Sequence, residues 1–285
     1  MKCEIIQPSG CCFGVKHAIE VCEELRIKNP HTPIYVLGML VHNETVIEHL
    51  NALNIKTMTG PIENNINAIS SGIVVFTAHG HDEKYEKMAL DKGLSVIDTT
   101  CTFVKLNHKL IKDGLKEKHQ IIFIGKRNHP EAEACLSISS NVLLYDSKEN
   151  FDFTKVSDIS PIIISQTTMS IIEVKKIYEL ILDKLPAAKL AKSVCHATME
   201  RQNALKNINE NCDLIIVVGS PTSSNTTKLF EIAELLYQNK DIKQIKTVND
   251  LINCSLEKYK YVSLIGGAST PIQVLETIKD YIINL

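Results

Sequence analysis

The strongest constraint on this chain is an internal threefold repeat, and it surfaces first in the cysteines. Cys12, Cys101 and Cys195 lie 89 and 94 residues apart. Each follows a short apolar or β-prone stretch, Ile5-Ile6, Val96-Ile97 and Val194, and each opens a segment of helical spacing. Val15, Ala18, Ile19 and Cys22 carry that spacing after the first cysteine, Phe103, Leu106 and Leu110 after the second, and Leu205, Ile208 and Cys212 after the third. An apolar run ending at glycine comes next, and Gly38, Gly125 and Gly219 sit 26, 24 and 24 residues beyond their cysteines. A further run in each copy, Ile73-Val74-Val75-Phe76, Ile162-Ile163-Ile164 and Tyr261-Val262-Ser263-Leu264-Ile265, also leads into a polar loop.

Continuous apolar runs of this length read as strands buried on both faces of a parallel sheet, and their alternation with helices predicts small α/β units. In parallel sheets, function gathers beyond the carboxyl ends of the strands, where the polar loops of all three copies fall. The expected fold is therefore three small parallel-sheet α/β domains in a pseudo-threefold trefoil that brings three thiols and six polar loops to one centre. The expected boundaries are 1–98, 99–192 and 193–270, with 271–285 closing the structure.

Composition narrows the function classes. Thirty-one Lys and Arg against 33 Asp and Glu give a formal charge of -2, with no basic excess to neutralise a nucleic acid backbone. No stretch approaches the roughly 20 apolar residues of a membrane span. Met1-Lys2-Cys3-Glu4 is not how a secretory signal begins, so a cytoplasmic protein is expected. There, an odd count of nine cysteines points to thiols, metal ligation or redox chemistry rather than a disulfide frame.

Three convergent thiolates need a cation or a cluster. The chain has no C-x2-C pair of the kind structural zinc sites favour, and three cysteines on an iron–sulfur cluster leave one iron open to a substrate oxygen. The residues favour a cluster, with zinc and inert buried thiols as the alternatives. Cys11 competes with Cys12, and only the threefold alignment favours the second of the pair. Over such a centre, His42, His79 and His129, with Ser223, Ser224, Asn225 and Ser269, form the equipment of a phosphate or diphosphate site at helix N-termini. The plainer alternatives are solvated histidines and a helix cap at Ser223-Ser224-Asn225. Glu131 is the one carboxylate among these loops, fitted either for general acid work or for complementing a helix dipole, and Thr167 could orient it. Cys22, Cys135, Cys212 and Cys254 read as small hydrophobes.

The motifs together resemble the LytB/IspH family of hydroxymethylbutenyl diphosphate reductases, along essentially the whole chain. They are Gly10-Cys11-Cys12-Phe13-Gly14-Val15, Val41-His42-Asn43, Ala78-His79-Gly80, Asp98-Thr99-Thr100-Cys101, His129-Pro130-Glu131, Gln166-Thr167-Thr168, Cys195-His196-Ala197-Thr198 with Arg201-Gln202, Ser223-Ser224-Asn225 and Gly267-Ala268-Ser269. The resemblance implies a trefoil around a central [4Fe-4S] cluster held by Cys12, Cys101 and Cys195. It implies an allylic diphosphate gripped by His42, His79, Ser223, Ser224, Asn225 and Ser269, with His129 and Thr167 completing the pocket. Glu131 matches the family's proton donor, ferredoxin or flavodoxin would supply electrons, and the products would be isopentenyl and dimethylallyl diphosphates. A monomer is expected, since one chain already supplies all three thiols.

Four positions depart from the family pattern: Cys11, Thr102, Asn128 where Gly usually precedes His-Pro-Glu, and Pro221-Thr222 before the Ser-Ser-Asn. If that Gly serves a positive φ, Asn is the residue type best able to replace it. Two other functions remain open from sequence: an iron–sulfur sensor that binds a phosphorylated metabolite without turnover, and a zinc phosphoesterase.

Overall fold

The computed structural model describes residues 1–191, 193–252 and 254–285. Strand β1 (Lys2–Ile5) leads to α1 (Phe13–Lys28), and the first repeat continues through β2 (Ile34–Leu37), α2 (Glu44–Ala52), β3 (Ile55–Met58), α3 (Ile62–Ala68), β4 (Ile73–Phe76), α4 (Glu83–Asp91) and β5 (Ser95–Asp98). The second repeat runs α5 (Thr102–Lys116), β6 (Ile121–Ile124), α6 (Pro130–Leu136), β7 (Val142–Tyr145), β8 (Ile162–Ser165), α7 (Ile171–Leu182) and β9 (Lys189–Leu190). The third runs α8 (His196–Ala204), β10 (Leu214–Val218), α9 (Ser224–Leu236), β11 (Asp241–Ile245), β12 (Tyr261–Gly266) and α10 (Ile272–Ile283).

Among the described residues all strand pairs are parallel, and they make three four-stranded sheets: β1-β12-β10-β11, β5-β4-β2-β3 and β9-β8-β6-β7. The three orders are one order. In each, the strand that leads towards Cys12, Cys101 or Cys195 is the edge strand beside the last central strand of a repeat. Both faces of each central strand are buried, which is why these strands read as unbroken apolar runs. Leu214, Ile216 and Val218 enter one core with Leu264, Leu275 and Ile278, whereas Ile215 and Val217 enter another with Leu205, Leu229 and Ile232. Ile122 and Ile124 likewise face one core, and Ile121 and Phe123 another.

One expectation fails at the N-terminus. A first unit of 1–98 would keep β1 with β2, but β1 pairs with β12 from Lys2↔Tyr261 to Ile5↔Leu264. It fills the place that β5 and β9 fill in the other sheets. Burial drives the pairing: Cys3 enters the core of Leu264, Leu275, Ile278 and Ile282, and α10 packs on β1 and β12. The compact units follow suit. One comprises Met1–Lys16, Val41–Val46 and Cys195–Leu285, and the other His17–Leu40 and Ile47–Val194. The expected boundary residue Lys192 lies outside the described residues. The strand before Cys195 is a two-residue segment at Lys189–Leu190 rather than at Val194.

Candidate active site

All three repeat cysteines begin a helix in the same way. The carbonyl of Cys12 accepts from Lys16 N (2.9 Å), that of Cys101 from Lys105 N (2.9 Å) and that of Cys195 from Met199 N (3.0 Å). Cys101 and Cys195 are the N-cap residues of α5 and α8, with φ/ψ of -57°/141° and -64°/138°. The Cys12 amide donates to Ala268 O (2.9 Å) in the turn after β12, and the Cys101 amide to Ala78 O (3.1 Å) in the turn after β4. These thiols are half-buried, each at the positive end of a helix. Cys3, Cys22, Cys135 and Cys212 are buried. Burial pushes Cys3 and Cys22 up to about 12, where a thiol is a poor ligand. Cys11 is pushed up to about 11 by burial and by the adjacent Cys12, against the pull of Arg201.

The unit that contains Cys101 also holds His79, His129, Glu131 and Thr167. Pro130 fixes the first turn of α6, and the N-cap His129 accepts at Nδ1 from Glu131 N (3.2 Å). An amide N–H can only donate, so Nδ1 carries no proton and neutral His129 bears its hydrogen on Nε2. The ring of His79 meets that of His129 edge-on, with centroids 5.6 Å apart, and Thr77 Oγ1 lies 3.3 Å from His79 Nδ1. Glu131 is 1% exposed. Its Oε1 accepts from Thr167 N (2.8 Å), and its Oε2 is 2.8 Å from Thr167 Oγ1. Asn107 Nδ2, on α5, adds a longer contact to Oε1 at 3.4 Å. The helix-dipole alternative for Glu131 therefore describes its place at the start of α6 without accounting for its burial.

Burial raises the Glu131 carboxyl to about 7, against the pull of its Thr167 and Asn107 hydrogen bonds. The sign of the linked stability follows. In the folded protein the group keeps its proton above the pH at which the unfolded chain, with an ordinary value of 4.5, has lost it. The native state then binds more protons, and stability falls as pH rises from about 4.5 to 7, by about 3 kcal/mol. Glu131→Gln removes that cost. The variant's melting temperature is expected to gain on wild type between about pH 5 and pH 8.5, and an equal offset at both would contradict the raised carboxyl.

The loop before α6 turns on Asn128, whose φ of 62° is left-handed. The Asn in place of the family's Gly thus occupies the conformation for which Gly is suited, and its amide donates to Glu133 Oε1 (3.2 Å). Asn128→Gly should change stability by only a few tenths of a kcal/mol, whereas Asn128→Val should lose about 1–2 kcal/mol. Chemical denaturation of the two variants measures this, and equal losses would show that φ is not what the position selects.

The other unit holds Cys12, Cys195, His42, Ser223, Ser224, Asn225 and Ser269. Ser223 caps α9 by accepting from Thr226 N (3.4 Å), as the plainer reading of this run expected. Asn225 is buried and braced on both sides, accepting from Ala268 N (2.8 Å) and donating to Thr198 Oγ1 (3.4 Å). Ser269 Oγ donates to His42 O (3.3 Å). The N-terminus of α9 approaches the strand ends closely, since a Cβ on Gly219 (φ 146°) would lie 2.6 Å from Thr226 Oγ1.

Arg201 and Asn107 were given no role by sequence reasoning. Arg201 is buried, donating through Nη2 to Gly10 O (2.7 Å) and through Nη1 to Ala197 O (3.0 Å). Burial lowers its pKa, and the nearby thiols of Cys12, Cys11 and Cys195 oppose that shift. Spacing held a signal for it: Arg201 lies six residues past Cys195, less than two helical turns on. Asn107 holds the same place six residues past Cys101, but nothing in the sequence set it apart from any other polar residue on an amphipathic helix.

Fold and site define an α/β enzyme with a buried carboxylic acid that keeps its proton near neutrality. The chain belongs to the LytB protein family, whose profile matches residues 3–283. A relative from Halalkalibacterium halodurans, 4-hydroxy-3-methylbut-2-enyl diphosphate reductase, is 34% identical over 281 residues, covering 97% of this chain and 89% of its own. The solved structure of the E-1-hydroxy-2-methyl-but-2-enyl-4-diphosphate reductase from Plasmodium falciparum superposes with a TM-score of 0.84 at 31% identity, covering 99% of this chain and 87% of that one. A second solved structure, of the (E)-4-hydroxy-3-methyl-but-2-enyl diphosphate reductase described as the terminal enzyme of the non-mevalonate pathway, gives 0.71 at 28% identity over the full length of both chains.

Proposed function

We propose that this enzyme reductively removes the hydroxyl of 4-hydroxy-3-methylbut-2-enyl diphosphate, giving isopentenyl and dimethylallyl diphosphates. The observation that carries the reading is Glu131, a buried carboxyl held at both oxygens by Thr167 and kept protonated to about pH 7. Overall the reaction consumes two electrons and two protons. One proton converts the departing hydroxyl to water and the other ends on an allylic carbon.

Cys12, Cys101 and Cys195 would hold a [4Fe-4S] cluster. The donor set suits it: three half-buried thiols at helix N-termini, with the buried Arg201 cation near two of them. When bound, the cluster supplies the electrons that cleave the carbon–oxygen bond, drawn in turn from ferredoxin or flavodoxin. The protein's own groups do the rest. His42, His79, Ser223, Ser224, Asn225 and Ser269 bind the diphosphate with hydrogen-bond donors, and the helix N-terminus behind Ser223 favours its charge. His129 and Thr167 complete the pocket, and Glu131 delivers the proton to the leaving oxygen. A cytoplasmic setting, with its reducing thiol pool, suits nine cysteines kept as thiols.

The reading is tested by anaerobic incubation of the iron-loaded protein with the diphosphate substrate and a chemical reductant. Isopentenyl and dimethylallyl diphosphates should form in proportion to enzyme. Binding of the substrate with no product would leave the sensor reading in its place.

A further inference from the structure

Asn107 sits on α5, six residues past Cys101, and is fully buried. Its amide orientation follows from a backbone carbonyl. Nδ2 lies 3.0 Å from Ser165 O, and a carbonyl oxygen can only accept, so the nitrogen and not the oxygen faces that group. The same nitrogen reaches Glu131 Oε1 at 3.4 Å, its second hydrogen directed there. Oε1 therefore meets two donors, Thr167 N at 2.8 Å and Asn107 Nδ2, and neither can accept in return. A carboxyl oxygen has two lone pairs, and two fixed N–H groups leave none for a proton. Oε2 differs, because its neighbour Thr167 Oγ1 is a hydroxyl that can accept from an O–H as readily as it donates.

We propose that Asn107 is a positioning residue of this reaction: together with Thr167 N it reserves Oε1 of Glu131 as an acceptor, so that the transferable proton is carried on Oε2 beside the Thr167 hydroxyl. The inference rests on Glu131 acting as the proton donor. The ionisable groups that border the carboxyl are His129 at the N-cap of its helix and Cys135 one turn on, whose thiol is pushed well above its ordinary value by burial and then by Glu131. Asn107 and Thr167, which approach from α5 and from the turn after β8, are neutral. Asn107 is thus the side chain on α5 through which the state of Glu131 can be altered without adding or removing a charge.

The test is infrared difference titration of the protonated carboxyl in anaerobic holoenzyme, with Glu131→Gln identifying the Glu131 band. In Asn107→Leu the midpoint should rise by roughly one pH unit, the effect of losing one hydrogen bond to a charged carboxylate. In Asn107→Asp, which keeps the side-chain shape, it should rise further, because a second carboxyl replaces the donor. The alkaline limb of turnover should move with the band in both variants. A band unmoved in both, in protein that melts cooperatively, would overturn the assignment. A band that moves while turnover ignores both it and Glu131→Gln would instead remove Glu131 as proton donor and leave the placement of Asn107 standing.

Discussion

Glu131→Gln is expected to lower turnover of hydroxymethylbutenyl diphosphate by about 10²–10⁴-fold, the range that a positioned general acid contributes. Iron and sulfide content should stay at the wild-type level. The substitution is unusually clean at this site. A glutamine oxygen in the place of Oε1 still accepts from Thr167 N and Asn107 Nδ2, and its amide nitrogen can donate to Thr167 Oγ1, which then accepts where it donates to Glu131, so the acidic proton is lost while packing and the hydrogen-bonded pairs remain. Wild-type activity should decline above about pH 7, where the carboxyl empties, and the variant's residual activity should lack that limb. A sensor has no use for a proton donor. Unchanged turnover, or unchanged ligand response in a protein that never turns over, would sink the assignment of Glu131 as the acid.

Cys12→Ser, Cys101→Ser and Cys195→Ser should each reduce turnover by more than about 100-fold, beyond the 10–100-fold cost of losing a mere outer-shell partner of a metal site. Each should also lose iron, since a serine hydroxyl is a poor ligand for a soft, sulfur-preferring centre. Cys11→Ser is the informative control. Cys11 lies two residues before α1, and it is the carbonyl of Cys12 that accepts the first helical bond, from Lys16 N; burial also pushes the Cys11 thiol up to about 11, so iron and activity should survive its loss. Iron retained by Cys12→Ser and lost from Cys11→Ser would reverse the assignment within the pair. Undiminished iron in Cys101→Ser or Cys195→Ser would remove the three-thiol site.

Much of this architecture was legible because parallel strands buried on both faces announce themselves. Ile121-Ile122-Phe123-Ile124 and Leu214-Ile215-Ile216-Val217-Val218 are apolar at each position since both faces meet a core. The outer strands β3, β7 and β11 escaped notice, two of them for the converse reason. They close one edge of each sheet, and β3 and β11 carry mixed sequences such as Asp241-Ile242-Lys243-Gln244-Ile245 that resemble loops, whereas β7, Val142-Leu143-Leu144-Tyr145, is apolar and was simply passed over. The partner of β1 was illegible because sequence patterning reports how a strand is buried and not which strand it joins. At the site, repetition marked the three helix-opening cysteines, and short range marked Glu131 beside His129. Asn107 reaches Glu131 across 24 residues of sequence, a separation at which a single chain offers no sign of contact.

The pairing of β1 with β12 also sets an order of events in folding. Lys2 to Ile5 pair with Tyr261 to Leu264, more than 250 residues further along the chain, so this sheet closes only when two distant segments meet. The Cys12 amide is held by Ala268, from that same distant segment. Contacts of such long range form slowly, so the backbone at Cys12 waits on a slower pairing than the backbone at Cys101, which is held by nearby Ala78.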